Sequence, residues 1–251
     1  MQITTLKALA DNYIFLLTDD AEPASAVVDP GDAGAVLRRL ENIGYSLSAI
    51  LITHHHGDHT GGNRALLEHF PKIPVYGGAG DRGRIPGQSH LLKEGDEITV
   101  CGAKARVLEV PGHTKAHIAY HFYKEDNGDL FSGDTVFGAT IGNLFEETAE
   151  VMFQSIRKIR QLPPSTKIWC SHEYTLQYVR EAAGIDGHNH RLKDRLKLLE
   201  ASAASDKPTV PLSLEEECAT NPFFRWDSPD LCRHLGKAPG LETFLHLCEI
   251  T

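Results

Sequence analysis

Thr53-His54-His55-His56-Gly57-Asp58-His59 packs four imidazoles and a carboxylate into seven residues, directly behind the apolar run Ala49-Ile50-Leu51-Ile52. The run is short and β-branched, which predicts a buried strand over residues 49–53. Glycines at 57, 61 and 62 and a helical pattern over 63–70 follow, so the histidines occupy a strand-to-helix loop, where α/β proteins place their chemistry. His54 and His56 are two apart, so an extended backbone turns them the same way and turns His55 away as a bystander. Asp58 and His59 lie beyond Gly57 and can face a second point. That arrangement suits two metal ions better than one, and imidazole with an added carboxylate suits zinc, iron or manganese. The plain alternative is a histidine-rich surface loop, and the rest of the chain argues against it.

Working outward, the chain repeats the pattern. Residues 104–110 read as a strand that ends at Pro111-Gly112-His113-Thr114. Residues 117–122 and 129–132 read as a pair joined by a turn at Asp126-Asn127-Gly128, and the pair ends at Gly133-Asp134-Thr135. Residues 167–170 form another strand, ending at Ser171-His172-Glu173-Tyr174. Strand ends that repeatedly carry His or Asp argue for a single site at one end of a layered sheet structure. His117 and His121 lie within a strand and read as supporting or core residues. His188 and His190 flank a helix start and read as solvated, and Cys170 as a small buried apolar group.

The remaining pattern is mixed. Residues 13–18 and 25–29 form a hairpin across Asp19-Asp20-Ala21-Glu22-Pro23. A helix is expected over 33–42 with Gly44 as its stop, a short strand over 73–76, a loop over 76–88 and a strand over 97–100. After Tyr174 the pattern turns helical, over 176–183 and 190–204, and no further strand is expected. The division is therefore a metal-binding domain over 1–172 and a helical substrate-binding unit over 173–251.

Composition narrows the function classes. The chain has 251 residues, 41% hydrophobic and 24% charged, enough for one substantial core with an appendage. A net charge of −9 leaves no basic face for nucleic-acid phosphates, so no nucleic-acid partner is expected. No run reaches membrane-spanning length and the N-terminus lacks a leader pattern, so a cytoplasmic monomer without membrane association is the expectation. The cysteines at 101, 170, 218, 232 and 248 are odd in number and form no Cys-x-x-Cys pair, which reads as free thiols.

The Thr-His-x-His-x-Asp-His loop, with His113 in Pro-Gly-His-Thr, Asp134 in Gly-Asp-Thr and His172, resembles the metallo-β-lactamase superfamily. Within it, Ser132-Gly133-Asp134-Thr135, Ser171-His172-Glu173-Tyr174-Thr175, the tract Lys207-Pro208-Thr209-Val210-Pro211 and Asn221-Pro222-Phe223 resemble the glyoxalase II (hydroxyacylglutathione hydrolase) family. The resemblance covers nearly the whole chain. It implies an α/β fold, a four-layer αββα sandwich with a helical C-terminal unit, and two divalent ions per chain, zinc first and iron or manganese as alternatives. It puts His54, His56 and His113 on one ion, Asp58, His59 and His172 on the other, and Asp134 between them. A small-molecule thioester is the implied substrate, S-D-lactoylglutathione cleaved to D-lactate and glutathione, with Asp58 orienting the attacking hydroxide and Asp134 completing the catalytic pair.

This chain departs from the family at the carrier contacts. Asn143 stands where Lys or Arg is usual and Phe145 where Tyr is frequent. Near the C-terminus, Cys248 and Thr251 occupy the places of an Arg and a Lys. Asn143, Phe145, Tyr174 and Cys248 are the expected substrate contacts, without the cations that hold carboxylates. Alternatives are hydrolysis of a different acyl-thiol, such as a polyamine-linked glutathione thioester, and a persulfide dioxygenase, which would bind a single iron. A lactonase or β-lactamase fits the first domain but not Asn221-Pro222-Phe223, and a non-catalytic metal module would need a closed coordination shell.

Overall fold

The stretch Asn12–Thr18 is apolar at most positions and buried at every one. A strand with both faces covered has to sit between two layers, and this one does. In the computed structural model, which describes every residue except Asp20, Glu22, Glu125, Asp126 and Asp206, it is the second strand of a six-stranded sheet in chain order: β1 (Gln2–Ala8), β2 (Asn12–Thr18), β3 (Ala24–Val28), β4 (Ser46–Leu51), β5 (Val75–Gly78) and β6 (His90–Leu92). β1 to β3 pair antiparallel and β3 to β6 parallel. The parallel part requires crossovers, supplied by α1 (Ala33–Ile43) between β3 and β4, by α2 (Gly57–Thr60) and α3 (Asn63–His69) between β4 and β5, and by residues 79–89 between β5 and β6. Asp32 caps α1 by accepting from the Gly34 amide at 2.8 Å, and Gly44 ends it at φ 70°, the stop expected from sequence.

The second sheet begins with β7 (Glu97–Val100), β8 (Ala103–Glu109), β9 (Ile118–Lys124) and β10 (Asn127–Gly133), paired antiparallel in sequence. A two-stranded hairpin, β11 (Val136–Phe137) and β12 (Thr140–Ile141), follows, then α4 (Ala149–Arg160). β13 (Lys167–Cys170) runs parallel to β10. The chain continues through α5 (Thr175–Ile185) and α6 (His190–Ser202), then β14 (Leu212–Ser213), α7 (Leu214–Thr220), α8 (Pro229–Leu235) and α9 (Leu241–Ile250).

Side-chain alternation sorts the core into layers. Ile14 and Leu16 of β2 pack with Val27, Ile50 and Ile52 against Val36 and Leu40 of α1 and Leu66 of α3. Tyr13, Phe15 and Leu17 face the other sheet, and Phe15 meets Phe131 at 5.3 Å and Trp169 at 5.6 Å between ring centroids. Each such ring contributes roughly 1.5–3 kcal/mol by burial alone. The four-layer αββα sandwich with a helical C-terminal region is the fold expected from the sequence.

Local differences have physical reasons. The strand expected over 49–53 starts earlier, at Ser46, and leaves the sheet at Leu51; the one expected over 73–76 is β5, two residues later. β1 and β6 were not anticipated, because β1 alternates without an apolar excess and is partly exposed along most of its length. The expectation that no strand returns after residue 173 is overturned by β14, which pairs with β13 through Lys167↔Ser213 and Ile168↔Leu212. Two residues are too short to produce a periodic signal. Asn127 and Gly128, read as a turn, are the first residues of β10, while Asp126 of that turn and Asp20 and Glu22 of the first hairpin loop lie outside the described residues.

Candidate metal centre

The strand ends flagged by sequence meet at one mouth of the sandwich. Backbone hydrogen bonds stitch the two sheets together there: Ile118 N donates to Thr53 O at 2.9 Å, Tyr13 N to Ser171 O at 2.7 Å and Glu173 N to Asp11 O at 2.9 Å. Loops from different sheets are thereby held by the main chain rather than by side-chain packing alone.

Three imidazoles form the first group. His56 Nδ1 lies 3.0 Å from His54 Nε2 and 3.1 Å from His113 Nε2. The second group forms past Gly57, where α2 turns Asp58 and His59 toward His172; Asp58 Oδ2 is 3.3 Å from His59 Nε2 and 3.4 Å from His172 Nε2. Asp134 stands between the groups, with Oδ1 3.4 Å from His59 Nε2 and Oδ2 3.5 Å from both His113 Nε2 and His172 Nε2.

Hydrogen bonds on the far side of four of the rings, those of His54, His59, His113 and His172, orient them. His113 Nδ1–H donates to Asn143 O at 2.8 Å, which leaves Nε2 with a lone pair. His59 Nδ1 pairs with Asp29 Oδ2 at 3.1 Å and His172 Nδ1 with Asp11 Oδ1 at 2.8 Å. His54 Nδ1 lies 3.1 Å from Thr53 Oγ1, whose hydroxyl is committed to Asp29 Oδ2 at 2.7 Å. Lone pairs therefore converge with too few protons between them, and buried His59 Nε2 and Asp134 Oδ1 have no hydrogen-bond partner. A divalent cation satisfies such a donor set, so the residues fit the group that the pattern implies.

Protonation in the metal-free chain agrees. Burial first, and neighbouring imidazoles second, hold His54 well below its ordinary value and bring His56 down to about 4. Burial also lowers His113. Burial works against the charged forms of His59 and His172 too, but Asp134 with Asp29 raises His59, and Asp134, Asp58 and Asp11 push His172 up to about 10. Asp58 and Asp134 stay below the usual carboxylate range: burial opposes ionisation, and His59 and His172 outweigh it. The second group thus holds protons that a cation would displace.

Every histidine and aspartate expected to ligate reaches this cluster. His55 turns away, as expected, with Nδ1 3.1 Å from Asp81 Oδ1. His117 supports the cluster: it stacks on His54 at 4.6 Å and accepts from the Asp134 amide at 3.2 Å. His121 and Cys170 are buried, and His188 and His190 are exposed. Sequence reasoning missed Asp29 and Asp11. Asp29 follows β3, so the strand-end signal that identified the others was available for it. Asp11 precedes β2 and carried no such signal.

Two glycines let the backbone close in. A Cβ on Gly133 (φ 51°) would stand 2.4 Å from Thr53 Oγ1, and one on Gly142 would stand 1.8 Å from Asp134 O. Beside the donors, a cavity of about 220 Å³ is lined by Phe137, Ile141, Asn143, Phe145, Tyr174 and Tyr178. Ile141, Asn143 and Tyr178 also line a second cavity of about 160 Å³, together with Phe223, Cys248 and Thr251. Asn143, Phe145 and Tyr174 are thus beside the donors, while Cys248 is in the neighbouring cavity. No lysine or arginine is among the described residues lining either one. Tyr174 stacks on His172 at 4.9 Å, and Phe145 stands 65% exposed over His56 and His113.

The C-terminal helices buttress this site from below. Buried Glu217 of α7 accepts from the Ala139 amide of the β11–β12 turn at 2.9 Å and from Arg195 of α6 at 2.6 Å. Asn221 donates to Thr140 O at 3.0 Å and to Glu217 Oε2 at 3.0 Å, so the Asn221-Pro222-Phe223 signature fastens α7 to the hairpin behind Asp134.

Comparison with known proteins agrees with the arrangement. Residues 12–172 match the Metallo-beta-lactamase superfamily and residues 173–250 the Hydroxyacylglutathione hydrolase C-terminus. Similar curated proteins include hydroxyacylglutathione hydrolases of Acaryochloris marina, 48% identical over 98% of this chain and 97% of the relative, and of Nostoc punctiforme, 47% identical over 100% and 98%. Among solved structures, the B3 metallo-beta-lactamase BLEG-1 shares the fold, with a TM-score of 0.67 at 24% identity over 89% of this chain and 99% of that one. No helix among the described residues is long and apolar enough to cross a membrane. With a superfamily match over more than half its length and relatives near half identity from end to end, the chain belongs to the metallo-β-lactamase superfamily and, within it, to the hydroxyacylglutathione hydrolase family.

Proposed function

We propose that the chain hydrolyses acylated thiols at a dinuclear metal centre, with S-D-lactoylglutathione as its substrate and D-lactate and glutathione as products. The observation that carries the reading is Asp134, whose two oxygens reach histidines of both donor groups. His54, His56 and His113 would hold one ion, Asp58, His59 and His172 the other, and Asp134 would bridge; zinc is the first expectation, with iron or manganese as alternatives. The division into a metal domain over 1–172 and a substrate unit over 173–251 is supported by the family matches, which meet at the same point.

When bound, two divalent cations supply a nucleophilic water at neutral pH and electrostatic stabilisation of the developing oxyanion. The chain's own residues do the rest. Asn12 Nδ2 donates to Asp58 Oδ2 at 2.9 Å and fixes that carboxylate at the cleft. With Oδ2 fixed by Asn12, Asp58 would accept a hydrogen bond from the water and aim it. Phe137, Tyr174 and Phe145 wall the acyl group and limit water, and Asn143 and Cys248 lie along the path of the thiol carrier. A thiolate departs without needing a proton donor, since a thiol is a good leaving group near its own pKa.

The lack of lysine and arginine among the described residues lining both cavities favours a second reading for the carrier alone, a thiol with less negative charge than glutathione. Steady-state hydrolysis of S-D-lactoylglutathione, a polyamine-linked glutathione thioester and a simple acyl thioester separates the two, with Asp134→Ala as control and metal content measured throughout. Efficient turnover of the first, lost in the variant, is expected. Preference for another carrier transfers the substrate assignment, and one iron per chain with oxygen uptake overturns the hydrolase.

A further inference from the structure

The wall of the cleft at Asn143 and Phe145 is a segment with little packing of its own. Phe145 is largely exposed, yet its ring stands 5.1 Å from that of His113 and 5.8 Å from that of His56. His113 holds its inner side, donating from Nδ1 to Asn143 O at 2.8 Å and accepting from the Phe145 amide at 3.3 Å, and a second fastening of its outer side lies one residue further on. The Glu146 carboxylate accepts from both Arg84 guanidinium nitrogens, through NH1 at 3.2 Å and through NH2, and from the Lys115 amide at 2.9 Å. Arg84 is braced in turn by His55 and by buried Asp81, whose Oδ1 lies 3.5 Å from NH1. Asp81 Oδ1 also lies 3.1 Å from His55 Nδ1, so this one buried carboxyl faces both Arg84 and His55. The histidine that faces away from the donor cluster thus has a place in this contact.

We propose that Glu146 is a positioning residue: clasped by Arg84, it holds the segment 142–147 at the distance from the donor cluster that a carrier-bearing thioester requires. The inference rests on the hydrolase reading for its kinetics but not for its structure. Exposed ion pairs contribute little to global stability, whereas a bidentate guanidinium–carboxylate contact is geometrically demanding. Its loss therefore shows in how substrate is held and not in whether the chain folds.

The test uses metal-loaded protein and the variants Glu146→Gln, Arg84→Met and Arg84→Lys. For a carrier-bearing thioester, KM rises about tenfold in Glu146→Gln and Arg84→Met with kcat little changed, because uniform binding is what is lost. KM for a short acyl thioester without the carrier stays put, Arg84→Lys recovers part of the effect, and metal content is unchanged. Amide hydrogen exchange over 142–147 speeds up in the same variants, a readout that stands even if the parent hydrolyses no thioester. Unaltered exchange refutes the clasp, since a KM change alone would then mean that Glu146 touches substrate. Loss of metal together with kcat also refutes it, because the contact would then serve the donors.

Discussion

Asp29→Asn tests the arrangement behind the donor cluster with a change of a single atom. In the parent, Asp29 accepts from the Thr53 amide at 2.8 Å, from the Thr53 hydroxyl at 2.7 Å and from His59 Nδ1 at 3.1 Å, all buried. Asparagine keeps an oxygen for the Thr53 amide but turns an NH2 group toward the hydroxyl and the imidazole. The hydroxyl can rotate and accept, so His54 is little disturbed. His59 cannot adapt so simply. Its Nδ1–H now meets a donor, and the ring must shift its proton to Nε2, the atom that faces Asp58 and Asp134. A charge-assisted hydrogen bond is worth roughly 1.5–3 kcal/mol, which corresponds to a loss of about 10–100-fold in metal affinity. The loss would fall on the ion that His59, Asp58 and His172 would hold, and the one proposed at His54, His56 and His113 would stay. Competition against a chromogenic chelator, with bound metal counted by mass spectrometry, resolves two affinities in the parent and one weakened class in the variant. Two ions bound within about threefold of parental affinity, in a variant with parental far-ultraviolet circular dichroism, would refute the tautomer argument.

Three further outcomes follow from the same structure. Gly142→Ala drives a methyl group into Asp134 O, 1.8 Å away; a shift of about 1 Å in this residue between the two donor groups lowers kcat/KM by roughly 100-fold, read in the thioester assay with metal content in parallel. Arg195→Met leaves the buried Glu217 carboxyl without its guanidinium partner, and urea unfolding of the metal-free protein shows a loss of about 3–5 kcal/mol. Glu146 is held down at about 2, chiefly by its hydrogen bond to Arg84. Its contribution is therefore complete above its ordinary value of 4.5 and disappears as pH falls through about 2. Asp81, which burial raises, also faces Arg84 and His55 and takes up its proton in acid in both proteins. The stability difference between the parent and Glu146→Gln, from urea midpoints of chelator-treated protein, is constant above pH 4.5 and vanishes on acidification; a difference that grows in acid contradicts the assignment.

The donor set was legible because each member follows a strand or turn whose pattern is visible locally. His54 and His56 declare a common direction through their spacing, and His113, Asp134 and His172 repeat the same punctuation. What orients those rings was less legible. Asp11 lies 161 positions from His172 in the chain, and no local pattern announces the pairing. Asp29 obeys the strand-end rule, but a lone carboxylate after a short strand looks like a turn former until Thr53 and His59 are seen against it. The fold shows the same division. β2 reads as buried from its own residues, whereas β14 exists only because β13 offers it a partner. Arg195 and Glu217 look like solvated helix charges, and only the packing of α6 on α7 removes them from water.

β14 has a further effect, on what the molecule avoids. Without it, β13 would present unpaired amides and carbonyls at Lys167 and Ile168, next to Trp169, as a template for another chain. Two residues from the helical unit occupy that place in every folded copy. A chain cut after residue 173 would keep every metal donor and still be prone to stack on its own kind through that bare strand, so the C-terminal segment guards solubility as well as shaping the cleft.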